Sequence, residues 1–230
     1  MLRTDRKLDT IEAMGDVEKL KEVIESSETK IKNMKVDEKL LRRYLVAHHT
    51  VEAAYERIMA TDAWRKEANV ADINSETPGV KSSIALKVSK LLVERDNRMR
   101  PVVYVAVRNH SFRNRDVDAM TQFIIYMLEE SCKQCLDDGP DNICILFDMK
   151  GFSLTCMDYP LVRVLFNILT DHYPERLGVG LILNAPYIFS ACWAIIRSWM
   201  DENTSSKIKF IKGHDQLSAY IDPCVIPEDL

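Results

Sequence analysis

At 230 residues the chain is long enough for one large domain or two small ones, and for a sizeable core. A composition 47% hydrophobic and 29% charged reads as soluble and globular, and a net charge of −4 leaves nothing to recruit a nucleic-acid backbone. No apolar h-region follows Met1 and no apolar run reaches the ~20 residues a bilayer needs, so neither a secretory signal nor a transmembrane helix is expected. The six cysteines then read as reduced thiols of a cytoplasmic protein.

The first seventy or so residues look helical. Leu8, Ile11, Met14, Val17, Leu20, Val23 and Ile24 recur at helical spacing, interrupted by Gly15. Leu40, Leu41, Tyr44, Leu45 and Val46 mark a second helix, and Thr50 is placed to cap a third that carries Ala53, Ala54, Ile58, Met59 and Trp64. The sequence NSETPG at 74–79 is rich in turn formers and reads as a linker. Beyond it strands and helices alternate: strands at 101–107, 142–147, 179–184 and 207–211, helices at 117–136 and 159–173, and a short last helix at 216–221. Such alternation implies a largely parallel sheet with crossover helices, hence an α/β fold. The division expected is a helical lobe over 1–75 and an α/β lobe over 76–230.

Residues 186–200, PYIFSACWAIIRSWM, are nearly apolar all the way round. A helix of that kind is either buried in a large core or meets lipid. It is too short to span a bilayer, which points to a protein that handles lipid without living in the membrane.

Several motifs in this order carry a resemblance. WRK at 64–66 closes the helical unit; DNRMRPV at 96–102 leads into a strand, with Met99 where a glycine is usual; FDMKG at 147–151 ends another. HYPERLG at 172–178, NAP at 184–186 and TSSKI at 204–208 follow. Together they resemble the CRAL-TRIO lipid-binding family, in particular the fungal phosphatidylinositol transfer type, over about residues 38–227. The resemblance implies a helical N-terminal extension from about residue 38, and a mostly parallel-sheet lobe holding one lipid in a cavity under a mobile gate helix at 187–200. It implies a carrier with no catalytic residue and no cofactor, which takes a phospholipid or other hydrophobic small molecule and touches membrane surfaces transiently from the cytoplasm. Tyr187, Phe189, Cys192, Trp193, Ile196 and Trp199 would form the cavity side and gate, and Trp193 and Trp199 are of the type that favours a membrane interface.

In the phosphoinositide binders of that family a glutamate at Glu175 pairs with a lysine at Lys207, and a threonine at Thr204 assists. Glu175 and Lys207 read either as this headgroup site or as a structural ion pair. His48 and His49 stand where basic residues of an N-terminal helix would touch the same phosphate, so affinity would be weaker and pH-dependent. Arg42 and Arg43 either compensate or form a solvated face. The serine and threonine that serve choline-headgroup binding are replaced by Ile143 and Ile145, which cannot donate to a phosphate oxygen. Phosphatidylinositol or a phosphoinositide is thus favoured over phosphatidylcholine. A headgroup-free ligand (sterol, retinoid or tocopherol) and a non-transferring interaction module stand as alternatives.

The remaining chemistry-bearing residues are plainer. Cys132 and Cys135 have CxxC spacing but no second pair, half of what structural zinc requires. Asp148 reads as a cap for the turn closed by Gly151 rather than a catalytic base, since no nucleophile is spaced to partner it. The family's usual continuation beyond residue 230 leaves open a longer, multidomain parent.

Overall fold

The computed structural model describes the backbone of residues 5–227 and the side chains of residues 15–213 and 215–227. Leu8, Ile11 and Met14, and residues 228–230 of the expected α/β lobe, lie outside the described side chains. The chain divides into two compact units. One runs to Ala71 and includes Thr170–Glu175; the other comprises Asp72–Leu169 and the chain from Arg176.

The first unit is built on α1 (Asp5–Ser26), α2 (Glu38–His48) and α3 (Val51–Glu67). Their apolar stripes bury Val17, Leu20, Leu40, Leu41, Tyr44, Ala54 and Ile58 in one cluster. Asp37 caps α2 by accepting from the Leu40 amide, and Thr50 caps α3 by accepting from Ala53, which satisfies donors a helix start leaves open. His49, left-handed at φ 65°, closes α2 with its amide on the Leu45 carbonyl. Buried Asp62 binds the Asn33 amide at 2.6 Å and its side-chain Nδ2 at 2.9 Å, pinning the α1–α2 connection to α3.

The second unit is a mixed α/β layer structure. Its elements are α4 (Pro78–Ala85), β1 (Ser89–Arg95), β2 (Pro101–Ala106), α5 (Val117–Lys133), β3 (Ile143–Asp148), α6 (Tyr159–Asp171, whose last turn belongs to the first unit), β4 (Leu177–Leu183), α7 (Phe189–Arg197), α8 (Glu202–Lys207), β5 (Ile208–Ile211) and α9 (His214–Leu217). The sheet order is β1-β2-β3-β4-β5; β1 runs antiparallel to β2 and the other pairs are parallel. Strands covered on both faces need continuous apolar runs, and β2, β3 and β4 have them. One face packs Tyr104, Leu146, Leu181, Leu183 and Ile211 against Leu217 and Ile221. Alternate positions, Val103, Val105, Ile145, Phe147 and Ile182, point to the opposite face and a cavity.

Two expectations are corrected, and one strand was not expected. The stretch read as a linker contains the start of α4: Pro78 sits in its first turn, where a missing N–H costs nothing. Gly79 there lies so close to α5 that an added Cβ would stand 2.8 Å from Ala119 Cα. β1 had no prediction, because its pairing shifts register between Leu91 and Arg95 and it leaves Val93 92% exposed, which breaks the alternation. Lys207 ends helix α8 rather than opening β5.

The turn between β1 and β2 explains DNRMRPV. Asp96 accepts from the Arg98 and Arg100 amides at 2.9 Å each and from Arg100 Nε at 2.5 Å, all but excluded from solvent. Met99 adopts φ 65°, the conformation for which glycine is the ordinary choice.

Candidate functional site

The second unit contains a cavity of about 210 Å³ between the sheet face and helices α5, α6 and α7. Val103, Val105, Ile145, Phe147, Ile182 and Ile208 form its floor. Met120, Phe123, Ile124, Met127 and Leu128 of α5 supply one wall at i, i+3, i+4, i+7 and i+8 spacing, one apolar helix face. Leu161, Val162, Leu165 and Phe166 of α6 supply another. Gly180 helps to shape the floor: it pairs with Ile145 and Ile208, and a Cβ there would stand 2.6 Å from Ile208 Cδ1. A glycine at this point lets the Ile208 side chain fold over β4.

Helix α7 closes the cavity. It is nine residues long, the core of the apolar stretch, with the flanks at 186–188 and 198–200 forming turns. Phe189, Trp193 and Ile196 face the cavity. Phe189 also meets Phe152 edge to face at 5.4 Å, and Trp193 meets Phe210 at 5.1 Å. Each fully buried aromatic or aliphatic side chain holds the helix down by about 1.5–3 kcal/mol. The other face of the segment carries exposed apolar side chains, Tyr187 at 95%, Ile188 at 50% and Ile195 at 47%, beside exposed Ser190, Arg197 and Ser198.

Of the residues predicted for the cavity and gate, Ile145, Phe189, Trp193 and Ile196 line the space. Ile143, two positions earlier on β3, is fully buried but lies outside the lining. Cys192 is buried in the cluster behind the lining, and Trp199 packs on Tyr159 at 5.9 Å with Arg163 over its ring at 4.7 Å. Tyr187 points to solvent. The two tryptophans expected at a membrane interface are therefore half-buried, and the outward apolar side chains are Tyr187, Ile188 and Ile195.

The predicted headgroup residues are divided between the units: His48, His49 and Glu175 fall in the first, Thr204 and Lys207 in the second. His48 is partly buried against Tyr44, with ring centroids 5.9 Å apart, and burial, then the Arg57 charge, push its imidazole below the usual range. It is thus neutral near neutral pH rather than a phosphate-binding cation. His49 is exposed at the end of α2. Glu175 takes up φ 57° directly after the buried Pro174. The Thr204 hydroxyl is engaged with Asp201 at 3.3 Å, and its amide with the same carboxylate at 2.6 Å, so Thr204 belongs to the cap of α8.

Asp148 closes β3 as a structural anion. It accepts from Tyr104 at 2.7 Å, Asn184 at 2.8 Å, Arg108 at 3.1 Å and the Lys150 amide at 3.0 Å. Burial opposes its charge, but these donors outweigh it and hold the carboxyl below the usual range. The same burial and pairing push the Tyr104 phenol up to about 12. Gly151, at φ 75°, completes the corner. In the first unit, His172 stacks on Trp64 at 3.8 Å and 4°, with Nδ1 3.3 Å from the Thr61 hydroxyl. Two of the motifs named from the sequence thus meet there. None of the six cysteines is in a disulfide, and among the described residues no group of three or more His, Cys, Asp and Glu side chains is arranged for a metal.

Sequence reasoning missed His110 and Asp158, both on the cavity wall. It also missed the α5 and α6 stripes as lining; their periodicity was available but reads equally as core.

The second unit is thus an α/β structure in which a five-stranded, mostly parallel sheet covers an apolar cavity under a short apolar helix. The CRAL/TRIO domain profile matches residues 88–230, and the chain belongs to that family. A CRAL-TRIO domain-containing protein of Schizosaccharomyces pombe is 32% identical over 191 residues, covering 80% of this chain and 43% of the relative. Phosphatidylinositol transfer protein CSR1 of Eremothecium gossypii is 35% identical over 130 residues, 56% of this chain and 30% of its own. The Sec14 cytosolic factor of S. pombe is 26% identical over 210 residues, 85% and 72%. The chain thus spans less than half the length of the first two. The crystal structure of Sfh5 superposes with a TM-score of 0.74 at 18% identity, over 90% of this chain and 82% of that one, a likeness of fold. Among the described residues no helix is long and apolar enough to cross a membrane.

Proposed function

We propose that this chain binds one lipid in the cavity of its second unit and presents it to, or transfers it between, membranes, without catalysing a reaction on it. The observation that carries the reading is the cavity: about 210 Å³ of space walled by the sheet and three helices, almost wholly apolar, and covered by a helix segment that also exposes Tyr187, Ile188 and Ile195 to solvent. Uptake is driven by removing alkyl groups from water, at ~0.8 kcal/mol per CH₂. The outward Tyr187, Ile188 and Ile195 would meet the bilayer when α7 opens, and the protein would work at membranes from the cytosol.

Phosphatidylinositol or a phosphoinositide is the phospholipid we favour, because CSR1 is named a phosphatidylinositol transfer protein and the cavity-lining Ile145 stands where the family resemblance expects a donor for choline-phosphate. The second reading is a headgroup-free hydrophobic ligand. A volume of about 210 Å³ lies below the ~300–1,000 Å³ usual for ligand sites, so a two-chain phospholipid requires the wall to move, whereas a slimmer ligand does not. The test is mass spectrometry of lipid extracted with the purified chain. A stoichiometric lipid is expected, its class choosing between the readings. A folded protein that stays empty when incubated with mixed vesicles overturns both and leaves an interaction module.

A further inference from the structure

One motif of the sequence plays no part in the cavity. Cys132 and Cys135 stand at the end of α5, and neither borders the space that Met120, Phe123, Met127 and Leu128 of the same helix enclose. Each is partly exposed, within reach of a solute in water. The other cysteines offer no comparable pair. Cys144, Cys156 and Cys192 are buried, and exposed Cys224 shares its short turn, Pro223–Val225, with no second thiol. A structural metal wants four ligands, and among the described residues no group of even three His, Cys, Asp and Glu side chains is arranged to hold one.

The backbone brings the two side chains to the same side of the chain. At the end of α5 the Gln134 amide donates to the Ser131 carbonyl and the Cys135 amide to the Cys132 carbonyl, each at 3.2 Å. Successive bonds between residues three apart are the tighter 3₁₀ winding, in which side chains at i and i+3 eclipse. Such a turn also holds the Cα atoms of its first and fourth residues within about 7 Å. A disulfide asks for about 4.4–6.8 Å, the same range of separation. The Cys135 thiol is already turned back along the helix, with Sγ 3.9 Å from the carbonyl of Ser131, the residue before Cys132. The same sulfur lies 3.9 Å from the Asn142 carbonyl, and Arg95 donates Nη2 to the Gln134 carbonyl at 2.6 Å, so the turn is held from both sides.

We infer that Cys132 and Cys135 are a reversible redox modification site: a dithiol that a small-molecule disulfide, such as glutathione disulfide, closes to an intramolecular disulfide across the end of α5. The reaction is thiol–disulfide exchange carried out twice. The thiolate of one cysteine attacks the small disulfide, whose S–S bond breaks; one small thiol leaves and a mixed disulfide remains on the protein. The second cysteine, as its thiolate, attacks the protein sulfur of that mixed disulfide, forms the Cys132–Cys135 bond and expels the other small thiol. The two protons lost by the cysteines end on the two released thiols. The cysteine pair is oxidised by two electrons and the small disulfide is reduced by two. With both cysteines in one turn the second step is intramolecular, so the mixed disulfide does not accumulate. A small dithiol reverses the reaction. Transient disulfides of this kind are the ones that serve redox sensing where thiols are otherwise kept reduced. The inference is independent of the lipid-cavity reading.

The test exposes the full, folded chain to excess glutathione disulfide, then unfolds it and blocks remaining thiols with N-ethylmaleimide. Trypsin cuts after Lys133, between the two cysteines, so a disulfide leaves two peptides joined; fragmentation in the mass spectrometer tells a bond to Cys135 from one to Cys144. Near-complete loss of labelling at Cys132 and Cys135, with the joined peptides and no glutathione kept on either, is expected. Dithiothreitol added before the maleimide should restore labelling at both. Cys135→Ser should lose the joined peptides; if that variant fails to fold, fragmentation of the wild-type product still assigns the bond. Undiminished labelling of both thiols, glutathione kept on either in the wild type, joined peptides that survive in folded Cys135→Ser, or a link that forms only in urea overturns the inference.

Discussion

His172 offers a prediction whose sign and size both follow from its surroundings. Its ring lies flat on Trp64 at 3.8 Å, and burial is the largest influence on it, pushing its pKa from 6.5 down to about 4. The Asp171 charge pulls the other way and is outweighed; Arg57 and Arg65 reinforce the burial. In the unfolded chain the imidazole takes a proton near 6.5, whereas in the folded chain it resists until about 4. Its contribution is therefore complete above pH 6.5 and is lost as pH falls toward 4. The full shift corresponds to roughly 3 kcal/mol at 1.36 kcal/mol per unit, and the partly exposed ring reduces this to about 1–2 kcal/mol through solvent screening. His172→Phe keeps a flat ring on Trp64 and removes the titration. Urea unfolding at a series of pH values, followed by tryptophan fluorescence, should show wild type losing about 1–2 kcal/mol more than the variant between neutral pH and pH 4. Proton NMR should place the His172 titration near 4. An NMR midpoint at 6.5, or parallel pH profiles for the two proteins, refutes the reasoning.

Filling the cavity with Ile182→Trp should displace the equivalent of about three ligand methylenes, at ~0.8 kcal/mol each, and weaken lipid uptake roughly fiftyfold with helical content unchanged; undiminished loading would mean the ligand sits elsewhere. Ile195→Glu removes an outward apolar side chain from α7 and should slow transfer between vesicles tenfold or more, on the ~1.5 kcal/mol or greater value of burying isoleucine; an unchanged rate removes the outer face of α7 from the membrane contact. Met99→Gly should raise stability by about 1 kcal/mol in chemical denaturation, because Met99 is half-exposed and held at φ 65°; a loss would show that its side chain matters more than its backbone. Asp96→Ala strands Arg100 in the interior and should cost about 3–5 kcal/mol, read as a fall in melting temperature; a neutral result would mean that water reaches the turn.

Much of this architecture was legible in local pattern. The runs at 101–107, 142–147 and 179–184 are strands because β-branched and apolar residues without interruption suit a sheet covered on both faces. Thr50 caps α3 because capping needs only a hydroxyl and an amide three residues on. Met99 could be marked as standing in a glycine's place, and its positive φ gives the reason. The irregular edge strand β1 was not legible: its register shift and exposed Val93 erase the periodicity on which strand prediction depends.

The candidate site was legible in outline and not in detail. An apolar stretch between NAP and TSSKI identifies a lid, but an apolar side chain reads the same whether it faces other atoms or empty space. Ile145 lines the cavity and Ile143 does not, although both are buried on one strand. Trp193 lines it while Trp199 is taken up by Tyr159 and Arg163. His110 and Asp158 are 48 positions apart and share no local motif. By itself the sequence determined most of the secondary structure and the family, because each depends on neighbours along the chain. Where the space lies and which side chains border it were decided by tertiary packing, which brings together residues that no spacing relates.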